Sequence, residues 1–216
     1  LETLAEAFEE RNGLRVVIAF ATAPVLRRQA ESGEAALDVV IAPVPLVKTL
    51  EENGHMLAGG SAVIGTVKAG VAVREGAPAP DISTAEALKK EILASQSLVF
   101  NEGSSGIYVE KLLERLGVAK VVKTKITRLP NAEAVMKHLA SSGTVKEIGF
   151  GQITAIRLYA DQGVRLVGPL PQEIGNTTTY TAGLSVRTEN RELAEKLIRF
   201  LVSPSARDTL RATGVE

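Results

Sequence analysis

Three short stretches of this 216-residue chain pair hydroxyl or amide side chains with backbone suited to holding an oxyanion. They are Ala21-Thr22-Ala23-Pro24, Asn101-Glu102-Gly103-Ser104-Ser105-Gly106 and Pro130-Asn131-Ala132. Each follows an apolar, β-prone run and precedes a helical pattern. Each therefore offers unpaired N–H groups at the positive end of a helix, where an anion is favoured. Thr22, Ser104, Ser105 and Asn131 add neutral donors. None of the three stretches contains Lys or Arg; Arg128 stands just before Pro130. An anion held there would rest on dipoles and hydrogen bonds, not on ion pairs. Taken singly, each stretch also reads as an ordinary cap or turn, since Ser, Thr and Asn are the default residues for both.

Other chemistries are poorly served. With no cysteine, disulfides, thiol catalysis and thiolate metal sites are excluded. His55 and His138 are the only histidines, so a histidine-rich metal centre is excluded too, and neither metal nor cofactor is expected. Twenty-five basic residues balance 25 acidic ones, whereas a nucleic-acid-binding chain normally carries a basic excess. Gly149-Phe150-Gly151 lacks the third glycine of a dinucleotide loop, and no Gly-Lys-Ser/Thr loop is present. Gly103-Ser104-Ser105-Gly106 is not a nucleophile elbow. No catalytic residue is assigned. Glu102 and His138 are the side chains available as a base, though an exposed loop carboxylate and a core-edge histidine are the plainer readings. Tyr108 either faces the candidate site or packs on Leu112.

The elements that must position these loops follow from hydrophobic spacing. Residues 4–12 read as a helix stopped by Asn12-Gly13, and residues 14–20 (LRVVIAF) as a buried strand. A helix over 25–32 begins at Pro24, capped by Thr22 or Ala23, and a second buried strand spans 37–42. After a helix over 46–53, two apolar runs, 62–67 and 70–74, lead into Glu75-Gly76-Ala77-Pro78-Ala79-Pro80, the most turn-rich stretch of the chain. Helix 85–94 takes its cap from Ser83 or Thr84. Strand 97–100 then feeds the second loop and a strongly periodic helix ended by Gly117. A further β-prone pass ends at Leu129, before helix 132–141. Short strands at 147–150 and 165–167 flank a helical segment over 153–161. Residues 177–186 are β-prone, and helices over 192–202 and 205–213 close the chain.

Strands alternating with helices imply an α/β fold with parallel pairing and right-handed crossovers. The breaks near 76–80 and 170–180 divide it. The expectation is two α/β lobes with mixed, mostly parallel sheets, joined by a two-stranded hinge. Residues 1–76 plus 178–216 form lobe 1, and 77–177 form lobe 2. Such a chain carries a cleft between its lobes. Ligands of open α/β sheets sit at the carboxyl ends of strands, beside helix N-termini.

Three groups of residues now carry a resemblance. Residues 20–29 with 36–42, then Gly103-Ser104-Ser105-Gly106-Ile107-Tyr108 with Leu113-Glu114-Arg115-Leu116-Gly117, then Glu147 to Ile153 with Val167-Gly168-Pro169-Leu170-Pro171, occur in one order along the chain. Together with the closing segment from Phe200 to Pro204, they resemble the molybdate-binding branch of the type 2 periplasmic solute-binding proteins. The resemblance implies an inter-lobe site for a small anionic ligand, either an organic carboxylate or a molybdate-like oxyanion. It also implies delivery to the membrane permease of an ABC-type importer, a periplasmic or extracytoplasmic location and a monomer. The family places a strand and a hydroxyl-bearing loop before its first helix, so both are expected to lie outside this sequence. Carried over by position, the ligand-binding residues are Thr22, Ala23, Asn101, Ser104, Ser105, Gly106, Tyr108, Asn131 and Gln152. A further backbone donor falls near Ala134 and Val135. The family's phenolic ligand falls on Phe150 or Gly151, where no hydroxyl exists, and Gln152 stands as its replacement. The amides shift the expectation towards small organic anions. One known member of the branch isomerises aconitate, and that activity in the same cleft is the alternative.

Overall fold

The computed structural model describes residues 1–216. Helices α1 (Glu2–Asn12) and α2 (Ala23–Ser32) precede strand β1 (Val39–Pro43), helix α3 (Val44–Glu52) and the long strand β2 (Ala62–Arg74). Then come α4 (Ala85–Ala94), β3 (Ser97–Asn101), α5 (Ser104–Arg115), α6 (Ala119–Val122), β4 (Ile126–Leu129) and α7 (Ala132–Ser141). The chain ends with β5 (Glu147–Gln152), α8 (Ile153–Arg157), β6 (Val164–Pro169), β7 (Thr177–Leu184), α9 (Arg191–Leu201) and α10 (Pro204–Thr213). It divides into two units, one of residues 1–66 with 178–216 and the other of residues 67–177.

In the second unit β3 is central. It pairs in parallel with β4 on one side and β5 on the other, and β5 pairs antiparallel with β2, which pairs antiparallel with β6. Side chains alternate across this sheet. Leu98 and Phe100 join Leu88, Ile92, Val109 and Leu112 under α4 and α5, while Val99 joins Val135, Met136, Leu139 and Ile156 under α7 and α8. All three strand residues are fully buried, as a strand covered on both faces must be. Each such side chain contributes about 1.5–3 kcal/mol on leaving water. A Cβ on Gly149 would stand 2.3 Å from Leu139 Cδ1, so glycine is what lets α7 lie this close to β5.

In the first unit β1 pairs antiparallel with β7. Leu4 of α1 packs with Leu184, Ala194 and Ile198 in one core cluster. The Phe8 and Phe200 rings meet at 5.5 Å, with Arg11 over Phe200 at 5.3 Å.

Three expectations need correction. Residues 14–20 form no strand: Val17 and Phe20 are 83% and 73% exposed. A strand requires a ladder partner, and β1 is paired with β7 instead. The two runs on either side of Lys68-Ala69 are one continuous strand, β2. Its second half pairs with β5 and β6, so the first crossing between units falls after Thr66 and not at residue 76. Finally, the sheets are mixed, but parallel pairing is confined to β3 and its two neighbours. The β2 pairings on one side and β1·β7 on the other are antiparallel. They arise because β2 and β7 run the other way past their neighbours, a direction the hydrophobic pattern does not encode.

Candidate functional site

The carboxyl ends of β4, β3 and β5 lie along one edge of the second unit, because these strands run parallel. Asn101 stands opposite Leu129, and the Glu102 N–H donates to the Leu129 carbonyl at 2.8 Å. The loops after β3 and β4 are therefore neighbours. They open α5 and α7, so two positive helix ends share that edge.

At the α5 end the polar groups are tightly organised. Asn101 is only 7% exposed. Its Oδ1 accepts from the Gly103 N–H at 2.8 Å, and its Nδ2 donates to Ser105 Oγ at 2.8 Å. A Cβ on Gly106 would fall 1.5 Å from the Asn101 carbonyl oxygen, so only glycine lets the helix start this close over the strand. The first helical bond runs from the Ile107 N–H to Gly103 at 3.0 Å. The N–H groups of Ser104, Ser105 and Gly106 precede it and have no helical acceptor. Ser104 is exposed and Ser105 half-buried.

At the α7 end Asn131 is the cap. Its Oδ1 accepts from the Ala134 N–H at 2.8 Å, and its carbonyl from Val135 at 3.3 Å. The expected donors at Ala134 and Val135 are thus engaged within the helix. The N–H groups of Ala132 and Glu133 and the Asn131 amide are the ones that remain. Gln152 ends β5 on the same side, half-buried opposite Ala69.

Tyr108 departs from its expected role. Its hydroxyl donates to the Ile174 carbonyl at 2.6 Å, and its ring packs on the core of the second unit. Burial pushes its phenol pKa up, an effect that the nearby Arg115 opposes. Phe150 is buried in the same core with Phe100 and Val71, so a hydroxyl at that position would point inward. The remaining unit holds Thr22 and Ala23. Thr22 is the N-cap of α2, and its carbonyl accepts from Leu26 at 2.9 Å, but its hydroxyl makes no cap bond.

Charge is scarce at the β-strand edge. Arg128 pairs with Glu110 at 2.9 Å, and Glu102 is exposed. His138 sits in the last turn of α7, with Nε2 3.1 Å from Glu147 Oε1 at the start of β5. That is the opposite end of the strand, so His138 is no base for this edge. Sequence reasoning missed Glu147 as its partner. The one available signal was an acid opening an otherwise apolar strand.

The family model for bacterial extracellular solute-binding protein matches residues 1–216. An aconitate isomerase from Pseudomonas sp is 27% identical over 222 residues, which span all of this chain and 82% of that protein. The periplasmic molybdate-binding protein of Azotobacter vinelandii superposes with a TM-score of 0.76 at 18% identity, over all of this chain and 93% of its own. A tungstate-binding protein from Desulfovibrio alaskensis G20 gives 0.66 at 14% identity, over 97% of this chain and 87% of its own. At these identities the two structures establish the fold.

Proposed function

Because the chain belongs to the family of bacterial extracellular solute-binding proteins, we propose that it captures a small anion outside the cytoplasmic membrane and presents it, as a monomer, to the permease of an ABC-type importer. One observation carries the anionic assignment. The N–H groups of Ser104, Ser105 and Gly106 stand unengaged at the start of α5, beside the start of α7, with no unpaired cationic side chain in either loop. Such a site binds by fixed dipoles and hydrogen bonds. No helix is long and apolar enough to cross a membrane.

Thermal unfolding in the presence of molybdate, tungstate, sulfate, phosphate and di- and tricarboxylates tests the reading, followed by calorimetry on whatever stabilises. A true ligand raises the melting temperature by mass action. Ser105→Pro removes an N–H at a helix position that tolerates proline. It should abolish binding while the far-ultraviolet circular dichroism is unchanged; undiminished affinity would refute the site. Thr22→Ala, titrated alongside, reads the share of the α2 loop.

The aconitate isomerase relative favours a second reading, isomerisation of a small tricarboxylate. Of the two candidate bases only Glu102 lies at the edge described above. Incubation with cis- and trans-aconitate separates the two readings: interconversion that disappears in Glu102→Gln supports the enzyme, and its absence from the wild type leaves the binding protein.

A further inference from the structure

Strand β2 belongs to both units, and the chain leaves the first of them after Thr66. That residue is held by the far end of the sequence. Its N–H donates to the Glu216 carbonyl at 2.7 Å, and the Glu216 N–H donates back to its carbonyl at 2.9 Å. Two residues that exchange both bonds are paired as in an antiparallel ladder. The Thr66 hydroxyl adds a longer bond to the same carbonyl, at 3.3 Å. The end of α10 leads the closing residues there. Gly214 caps that helix in the left-handed region, at φ 98°. The Val215 N–H then donates to Leu210 at 3.1 Å, and its half-buried side chain packs on the core that holds Ile64, Leu184 and Leu210. Strand β2 makes room for this segment. A Cβ on Gly65 would stand 2.5 Å from Val215 Cγ1 and 2.8 Å from the Glu216 carbonyl oxygen. Beyond the crossing, Ala69 is fixed within the second unit: its N–H donates to Asn176 at 2.8 Å, and its carbonyl accepts from Leu170 at 3.0 Å.

We propose that residues 214–216 are a clasp on β2, which fixes Thr66 to the first unit and so sets where this crossing bends. With the clasp in place, bending is confined to the step between Thr66 and Ala69. With the clasp lifted, Gly65 and Thr66 join the bending span, and a glycine within a strand adds backbone freedom there. Two-unit proteins close by changing a few backbone angles at such crossings. A loosened pivot therefore widens the range of arrangements open to the free protein. The inference goes beyond the binding reading and holds whichever anion is captured.

The test uses the full chain without ligand. Because it has no cysteine of its own, Glu52→Cys and Lys111→Cys, at exposed residues of the first and second unit, can carry spin labels. The distribution of distances between the labels reports the range of arrangements. Deleting Val215 and Glu216 removes the clasp, and Gly65→Val displaces it; far-ultraviolet circular dichroism confirms that each variant folds. In both, the Thr66 amide should exchange about two- to twelvefold faster, the loss of one hydrogen bond, and the distance distribution should broaden. Thr66→Ala keeps the backbone pair and should leave both readings at their wild-type values. An unchanged Thr66 amide in the deletion would overturn the clasp. Faster exchange with an unaltered distribution would overturn its role at the pivot, leaving a contact internal to the first unit. A Thr66→Ala that matches the deletion would also overturn it, by assigning the effect to the hydroxyl.

Discussion

At the residue scale, the distinction that matters is between side chains that hold the edge together and those left over to act. Tyr108 belongs to the first kind. Its hydroxyl closes a bond to Ile174, a residue distant in sequence, which no local pattern announces; helical spacing alone left it open whether the ring faced the site or the core. Tyr108→Phe is expected to cost about 0.5–1.5 kcal/mol of stability, the net worth of one hydrogen bond, and to leave ligand affinity unchanged. The pH dependence has a definite sign. Burial raises the folded phenol pKa, so its contribution is fully present below the ordinary value of about 10 and is lost as pH rises through the folded value. Urea unfolding of both proteins at neutral and alkaline pH measures this: the gap between wild type and Tyr108→Phe should narrow on the alkaline side. Asn131 combines both kinds, since its oxygen caps α7 while its NH2 remains. Asn131→Asp keeps the cap and removes the donor, and so should leave stability within about 0.5 kcal/mol, the usual span of surface changes. Binding of the stabilising anion should fall in the same titration.

At the element scale, helices were the most legible part of the sequence. Helix α7 occupies the residues its periodicity marks, 132–141, with Asn131 as its cap, and Thr84 is the one of two candidates that caps α4, accepting from Ala87 at 3.1 Å. A helix closes its own hydrogen bonds and carries its own end signals, so local sequence suffices. Strands are different. Residues 14–20 have the β-branched composition of a strand but no neighbour to pair with, whereas β2 continues through Gly70, which sequence reading treats as an opening after a break. At Gly70 a Cβ would lie 2.9 Å from the Gly168 carbonyl, so the residue marks a close approach of β6 and not an end. The packing of α7 on β5 gives a prediction at this scale. Gly149→Ala drives a methyl into Leu139, and overpacking of this kind costs about 1–3 kcal/mol. In a Leu139→Ala background, which itself loses about 2–5 kcal/mol, the methyl gains room and the Gly149→Ala penalty should shrink or change sign. Denaturant midpoints of the four proteins measure the coupling. Additive losses would mean that α7 does not rest on β5 as described.

At the scale of the whole molecule, the balanced charge of 25 against 25 acquires a kinetic meaning. Proteins that capture anions with a basic surface concentrate them by long-range attraction, and their association rates fall steeply as salt rises. This chain has no net charge to act at a distance. Its candidate edge attracts through N–H dipoles, whose influence fades within the first turn of a helix. Specificity then resides in short-range geometry, which is established only after encounter, and residence time, not arrival, must distinguish one anion from another. The expected outcome for whichever anion stabilises the protein is an association rate that changes less than about threefold between 10 mM and 150 mM NaCl, although the Debye length shrinks from about 30 Å to about 8 Å over that range. Stopped-flow measurement at several ionic strengths checks it. A steep decline with salt would mean that unpaired cations gather at the site, contrary to the pairing of Arg128 with Glu110. A flat profile with a dissociation rate that rises in Ser105→Ala, which removes one hydroxyl and keeps the N–H groups, would place selectivity in the α5 end, where the donors are.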